Sequence, residues 1–314
     1  MSTGKLAIPL NLSAPSEDTL APAAPPIAAT VAAKPAVGRL VLSNINKRFP
    51  NSNISALSDV SLNCEPGEFV VVVGPSGCGK TTLLNIAAGM TRPDGGSALL
   101  DGKPIRGPGP ERAMVFQDHG LFPWLTAAQN VEFGLKMAGA NAAERAHRVD
   151  QTLRMVHLAG SANKLVHELS GGMRQRVAIA RAMVMNPAVL LMDEPFASLD
   201  AQTRTLLHAQ LQSLWCQTPK TVLFVTHSVG EAVRLADRII ILHSHPGRIR
   251  KEISVQLAHP RKFDSSDINE LAKLVRKEIE DEVNRVNALA AEDSWRPQEI
   301  ADLASSVDDL GGGI

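Results

Sequence analysis

Two short stretches of the chain carry residues suited to handling phosphate. The first runs Gly74-Pro75-Ser76-Gly77-Cys78-Gly79-Lys80-Thr81-Thr82. Its three glycines let backbone N–H groups curl around phosphate oxygens, Lys80 can reach the terminal phosphates, and the Thr81 hydroxyl offers a ligand to Mg2+. The second is Asp193-Glu194-Pro195, which closes the apolar run Ala188 to Met192. Two carboxylates at the end of a buried strand are costly unless a cation or a hydrogen-bonded water receives them. The economical assignment gives Asp193 to Mg2+ and Glu194 to an attacking water. Each stretch also has a plain reading, a Gly-rich turn with an accidental Gly-Lys-Thr and an acidic strand end facing solvent. Their joint occurrence argues against both coincidences.

Each of these groups needs an element to aim it. Phe69 to Val73 reads as an apolar strand entering the loop and Thr82 to Ala88 as the helix leaving it, the strand–turn–helix setting that phosphate cradling requires. Ala188 to Met192 is a second buried strand, halted by Pro195. A third, Thr221 to Val225, delivers His227 at its C-terminal end, where open α/β sheets place their ligands, with Ser228 as a polar helix start beyond it. Between the first two strands, Leu169-Ser170-Gly171-Gly172-Met173 opens a helix expected over 173–185. Its free amides and hydroxyl form a second anion-binding nest, although a serine at a helix start is most commonly just a cap.

Those five residues, continued by Arg174-Gln175-Arg176-Val177-Ala178-Ile179-Ala180-Arg181-Ala182, resemble the signature motif and helix of the ATP-binding cassette ATPases, and the resemblance spans residues 39 to 260. It implies the α/β ABC ATPase fold: a P-loop NTPase core with an antiparallel β lobe and an inserted helical subdomain near 118–185, all within a domain at 38–265. ATP and Mg2+ are the implied ligands. Phe49 stands where the family stacks an aromatic on adenine, here without the frequent tyrosine hydroxyl, and the chain contains no tyrosine at all. Gln117, in Val115-Phe116-Gln117-Asp118, matches the Q-loop that contacts Mg2+ or water, though it also reads as a surface glutamine after a short strand. Ser198-Leu199-Asp200 matches the D-loop and His227 the switch histidine that touches the terminal phosphate. The resemblance therefore puts Lys80, Gln117, Glu194 and His227 in catalysis, and Thr81, Gln117 and Asp193 on the metal. It puts Phe49, Gly74 through Thr82, Ser170, Gly171, Gly172 and Asp200 on the nucleotide.

Further expectations follow from the same resemblance. The signature of one copy closes on the ATP held by another, so the chain should act as a homodimer. The apolar loop Leu121-Phe122-Pro123-Trp124 lies where relatives dock the coupling helix of a membrane permease; its simpler reading is that Leu121 and Trp124 pack beneath the helices. Phe122-Pro123-Trp124, the expected turn Pro246-Gly247-Arg248-Ile249 and His259-Pro260-Arg261 are similar to the branch serving nitrate, sulfonate and taurine uptake. The implied protein is the ATPase subunit of an importer for a small oxyanion or sulfur-containing organic acid, peripheral on the cytoplasmic face of the inner (plasma) membrane. Separate permease subunits and an extracytoplasmic solute-binding protein would complete it. An exporter ATPase, a nucleic-acid- or ribosome-associated ATPase and a non-hydrolysing regulatory module are the rivals.

Composition bounds these readings. The 314 residues are 44% hydrophobic in short runs, none near the roughly 20 needed to cross a bilayer, so a soluble or peripheral protein is expected. With 32 basic and 32 acidic residues, no global field points to nucleic acid, and neither a tandem cassette nor a long coiled coil is visible. Cys64, Cys78 and Cys216 lack zinc-site spacing or a disulfide framework, which suits a reducing compartment. Cys78, at a helix N-terminus, is expected to favour thiolate and to be shielded by ATP, or else merely to fill a tight slot. Residues 1–37, rich in Ala and Pro, read as a disordered tail with no signal-peptide apolar core. In the C-terminal extension 266–314, Ile268, Leu271, Val275, Ile279, Val283 and Val286 recur at helical spacing, and 290–314 read as weakly structured.

Overall fold

A computed structural model describes residues 37–50, 54–218, 220–244, 246–261 and 265–292. The expected N-terminal tail (up to residue 36) and residues 293–314 lie outside the described residues, as do the side chains of Val283 and Val286.

Strand β1 (Leu40–Lys47) pairs antiparallel with β2 (Leu57–Cys64) and with β4 (Gly95–Leu100), and the two-residue β5 (Lys103–Pro104) completes a four-stranded sheet. Alternation in β1 buries Leu40, Leu42 and Ile45 on one face, the period-2 pattern of a half-buried sheet. A second sheet contains β3 (Phe69–Val73), β6 (Arg112–Val115), β7 (Val189–Asp193), β8 (Thr221–Thr226), β9 (Arg238–His243) and β10 (Arg248–Ser254), in the order β10-β9-β3-β8-β7-β6. Every pairing in it is parallel except β10 with β9.

The central strands are continuous apolar runs because both faces are covered. Val70 and Val72 of β3 face one core, shared with the antiparallel sheet and helix α1 (Lys80–Ala88). Phe69, Val71 and Val73 face a second core. That core is closed by α4 (Gly171–Met183), α5 (Ala201–Gln217), α6 (Val229–Leu235) and α7 (Ser266–Glu292). With α2 (Ala127–Met137) and α3 (Ala142–Met155), α4 also builds a third, all-helical core around Val131, Leu135, Leu153, Val177 and Ala180.

Two elements differ from the sequence reading. Helix α4 begins at Gly171 rather than 173, because the Ser170 side chain accepts the Met173 N–H and so caps the turn two residues earlier. Arg248 and Ile249 belong to strand β10 rather than to a turn; Arg248 faces His243 and Ser254 faces Arg238 across the ladder. β10 is a charged edge strand, RIRKEIS, whose pairing follows from its neighbour and not from any apolar alternation of its own.

Candidate functional site

The parallel strands β3, β8, β7 and β6 lie side by side and end at one edge. Register pairs Val73 with Thr226, Val225 with Asp193, and Met192 with Val115. The segments leaving those ends hold, in spatial order, the loop from Gly74, then His227, then Glu194, then Gln117. Four sites separated by as many as 153 positions in sequence are thus gathered by hydrogen-bond register alone.

Within the loop, Lys80 is buried, and its ammonium donates to the carbonyls of Gly74 and Pro75, both at 2.8 Å. Gly79 adopts φ 93, and a Cβ there would meet the Ala56 carbonyl at 2.6 Å, so neither the backbone conformation nor the space admits a side chain. Cys78 is wholly buried, and burial pushes its thiol up despite the pull of Lys80. The expected thiolate character is corrected accordingly: desolvation outweighs the helix terminus, and the side chain fills a slot.

Thr81, on the first turn of α1, donates its hydroxyl to Asp193 Oδ1 at 3.2 Å. Burial raises the Asp193 carboxyl, an effect only partly countered by the Thr81 bond and by Lys80. A hard-oxygen pair that converges beside a desolvated carboxylate fits Mg2+, whose charge would compensate that cost. Glu194 takes a positive φ of 41°, rare for a residue with a side chain, which turns its carboxylate out of the strand direction. Its Oε2 accepts from His227 Nδ1 at 2.9 Å. That bond is the main cause of both shifts, holding the Glu194 carboxyl below its usual range and the His227 imidazole above its own.

The remaining nucleotide-motif residues are presented differently. Phe49 is 43% exposed, with Lys47 Nζ 5.6 Å from its ring centre, and Gln117 is exposed just beyond β6. Ser170 and Asp200 are N-caps, of α4 and α5; the Asp200 carboxylate accepts from Thr203 N–H at 2.9 Å, which keeps it below the usual range. Gly172 is buried, and a Cβ there would lie 2.5 Å from Thr203 Cγ2, so this glycine also serves the packing of α4 on α5. None of Phe49, Ser170 or Asp200 is bonded to the Lys80, Asp193 and Glu194 cluster.

Two supporting groups escaped the sequence reading. Asn130, fully buried on α2, bonds Phe122 N–H and the carbonyls of Phe122, Leu125 and Thr126, and so shapes the Phe122–Trp124 loop. An asparagine set among Ala127, Val131 and Leu135, apolar residues at helical spacing, was the available signal. Arg181 of α4 donates to the carbonyls of His119 and Gly120, and Gln175 bonds His119, which tethers the segment after Gln117 to the helix that Ser170 caps. In the loop itself the two expectations divide: Leu121 packs into the cores whereas Trp124 is 71% exposed.

A phosphate loop at the end of a parallel strand, joined to an Asp-Glu strand end and a strand-end histidine, defines a P-loop nucleotide hydrolase. The family model described as ABC transporter matches residues 57–197. An uncharacterized ABC transporter ATP-binding protein of Methanocaldococcus jannaschii is 45% identical over 247 residues, 78% of this chain and 92% of that protein. The taurine import ATP-binding proteins TauB of Mesorhizobium japonicum and Pelagibacter ubique are 49% and 46% identical, over 67% and 70% of this chain and 82% and 84% of theirs. Among solved structures, the dimeric post-hydrolysis ATP-binding cassette MJ0796 bound to ADP and Pi matches with a TM-score of 0.61 at 35% identity, covering 70% of this chain and 100% of that one. The chain belongs to the ATP-binding cassette transporter family, as an ATP-binding and ATP-hydrolysing subunit. Among the described residues no helix is long and apolar enough to cross a membrane.

Proposed function

We propose that this subunit energises import of a small oxyanion or sulfur-containing organic acid of the taurine, sulfonate or nitrate type. The observation that carries its chemistry is the Glu194–His227 hydrogen bond at the shared strand edge, beside the Thr81–Asp193 pair and the Lys80 loop. Phosphoryl transfer to water needs positioning and charge neutralisation more than covalent chemistry. Glu194, kept ionised by the His227 bond, orients water and accepts its proton. The second ring nitrogen of His227, Nε2, has no protein partner among the described residues and is available to the terminal phosphate. Lys80 and the loop amides neutralise phosphate oxygens, Phe49 stacks on adenine, and Gln117 completes the polar lining. Thr81, Asp193 and Gln117 would hold Mg2+, which supplies charge neutralisation across the phosphates.

Ser170, Gly171 and Gly172 lie at the N-terminus of α4 and Asp200 at that of α5, and we assign them to the ATP of a second copy. The dimeric cassette MJ0796 supports this arrangement. A Glu194→Gln variant is expected to dimerise on adding ATP in size-exclusion chromatography, and Ser170→Arg in the same chain to abolish that shift; dimers surviving Ser170→Arg would overturn the trans assignment. Exposed Trp124 supports docking on membrane permease subunits at the cytoplasmic face of the inner membrane, with a binding protein delivering solute from outside. The TauB relatives support the substrate class. A strain lacking the subunit should fail to grow on taurine, an alkanesulfonate or nitrate as sole sulfur or nitrogen source; unchanged growth on all three would refute it.

A further inference from the structure

His227 reaches Glu194 at 2.9 Å although its own side chain is 39% exposed. Packing alone therefore does not fix the imidazole; the bond to Glu194 and the backbone turn that carries the ring also hold it. That turn is held from inside by polar groups in an otherwise apolar core. Thr226, the buried last residue of β8, donates its hydroxyl to Glu231 Oε2 at 2.6 Å and accepts the Ser228 N–H at 2.9 Å. Glu231, buried on α6, also bonds Ser228 Oγ through its backbone N–H at 3.4 Å. Both neighbours of His227 are thereby anchored to one carboxylate-bearing residue. His208 of α5, also buried, donates from Nε2 to Glu231 Oε1 at 3.2 Å and meets Phe196 edge-on, with ring centres 5.0 Å apart. Phe196 lies two residues after Glu194, so one network touches the segments that bear both partners of the Glu194–His227 bond.

We infer that Thr226 and Glu231 are positioning residues for His227, with His208 fastening their clamp to α5, the helix that Asp200 caps. A buried carboxylate, hydroxyl and imidazole are expensive where apolar side chains would pack. Their arrangement around the turn of a half-buried histidine gives them a task that packing alone would not need. The inference rests on the catalytic roles proposed for Glu194 and His227.

The test is steady-state ATPase kinetics of the full-length chain, with Thr226→Val, Thr226→Ser and Glu231→Leu made both in the parent and in a His227→Ala background. Thr226→Val and Glu231→Leu should each lower kcat about tenfold while KM for ATP stays within about twofold, since a small misplacement of a catalytic group is felt in the transition state. Thr226→Ser, which keeps the hydroxyl, should stay within about twofold of the parent, and in the His227→Ala background none of the three should add more than about twofold. Glu231→Leu leaves the buried Thr226 hydroxyl and His208 Nε2 without their partner, so a purely structural role predicts a lowered urea midpoint and a kcat loss of equal size in both backgrounds; Glu231→Gln, which keeps an oxygen for Thr226, serves if Glu231→Leu or Thr226→Val does not fold. Parent-like kcat in both Thr226→Val and Glu231→Leu, or equal losses in the two backgrounds, would overturn the inference. A His227→Ala chain hydrolysing ATP at the parent rate would instead overturn the role given to His227 itself.

Discussion

At the scale of single residues, chemistry and burial pull in separate directions. Glu194 accepts an unfavourable φ of 41° and is held ionised by His227, an arrangement suited to a base rather than to a structural carboxylate. Glu194→Gln keeps the size and removes the charge, so kcat should fall by about 10²- to 10³-fold with nucleotide affinity kept within about threefold, as read by phosphate release and by titration with a fluorescent ATP analogue. The cysteines illustrate the opposite case. Burial raises all three thiols, but Cys64 and Cys78 are enclosed whereas Cys216 is exposed and reachable. In native protein a maleimide should modify Cys216 alone, with or without ATP, and peptide mass spectrometry showing ATP-sensitive labelling of Cys78 would contradict the burial argument.

At the scale of elements, small contacts set how helices meet. Gly172 lets the start of α4 approach Thr203 of α5 more closely than any Cβ allows. Gly172→Ala should therefore destabilise the chain by about 1–3 kcal/mol in urea unfolding, and adding Thr203→Ser, which deletes the clashing methyl, should restore part of it. The loop at 122–125 offers a second comparison. Asn130 holds it from below while Trp124 projects from it. Asn130→Ala leaves buried backbone groups unpaired and should cost about 1–3 kcal/mol, whereas Trp124→Ala should change stability by less than about 0.5 kcal/mol yet reduce permease-coupled ATPase activity. If Trp124→Ala also lost basal ATPase through misfolding, the docking role proposed for this loop would fail.

Across the whole molecule, the C-terminal helix is part of the main core rather than an appendage. Ile268, Val275 and Ile279 of α7 are buried among α6 and β9 residues, and Glu278 pairs with Arg250 and Lys251 of β10, which lowers its carboxyl. The exposed ion pairs contribute little beside the apolar burial. Ile268→Ala should cost about 2–5 kcal/mol, measured as a lowered urea midpoint with an unchanged slope. Because α7 packs on α6, and α6 begins one residue after the Ser228 cap, that loss should reach the histidine turn as well as global stability.

Local sequence determined the chemistry's vocabulary and the strands that present it. Gly74 to Thr82, Asp193-Glu194 and Leu169 to Met173 are contiguous, and their flanking apolar runs have strand or helix periods readable over a few residues. The amphipathic spacing of Ile268, Leu271, Val275 and Ile279 likewise announced α7. What only the tertiary structure decided depends on partners distant in the chain. Register between β3, β8, β7 and β6 brought Lys80, His227 and Glu194 to one edge. Desolvation reversed the expected reactivity of Cys78. β10 owes its existence to β9, Asn130 its role to the loop it underpins, and the Thr226–Glu231–His208 network its meaning to three elements meeting. Periodicity records which face of an element is apolar; it carries no information on which buried polar group will find another across the core, because that is set by long-range packing.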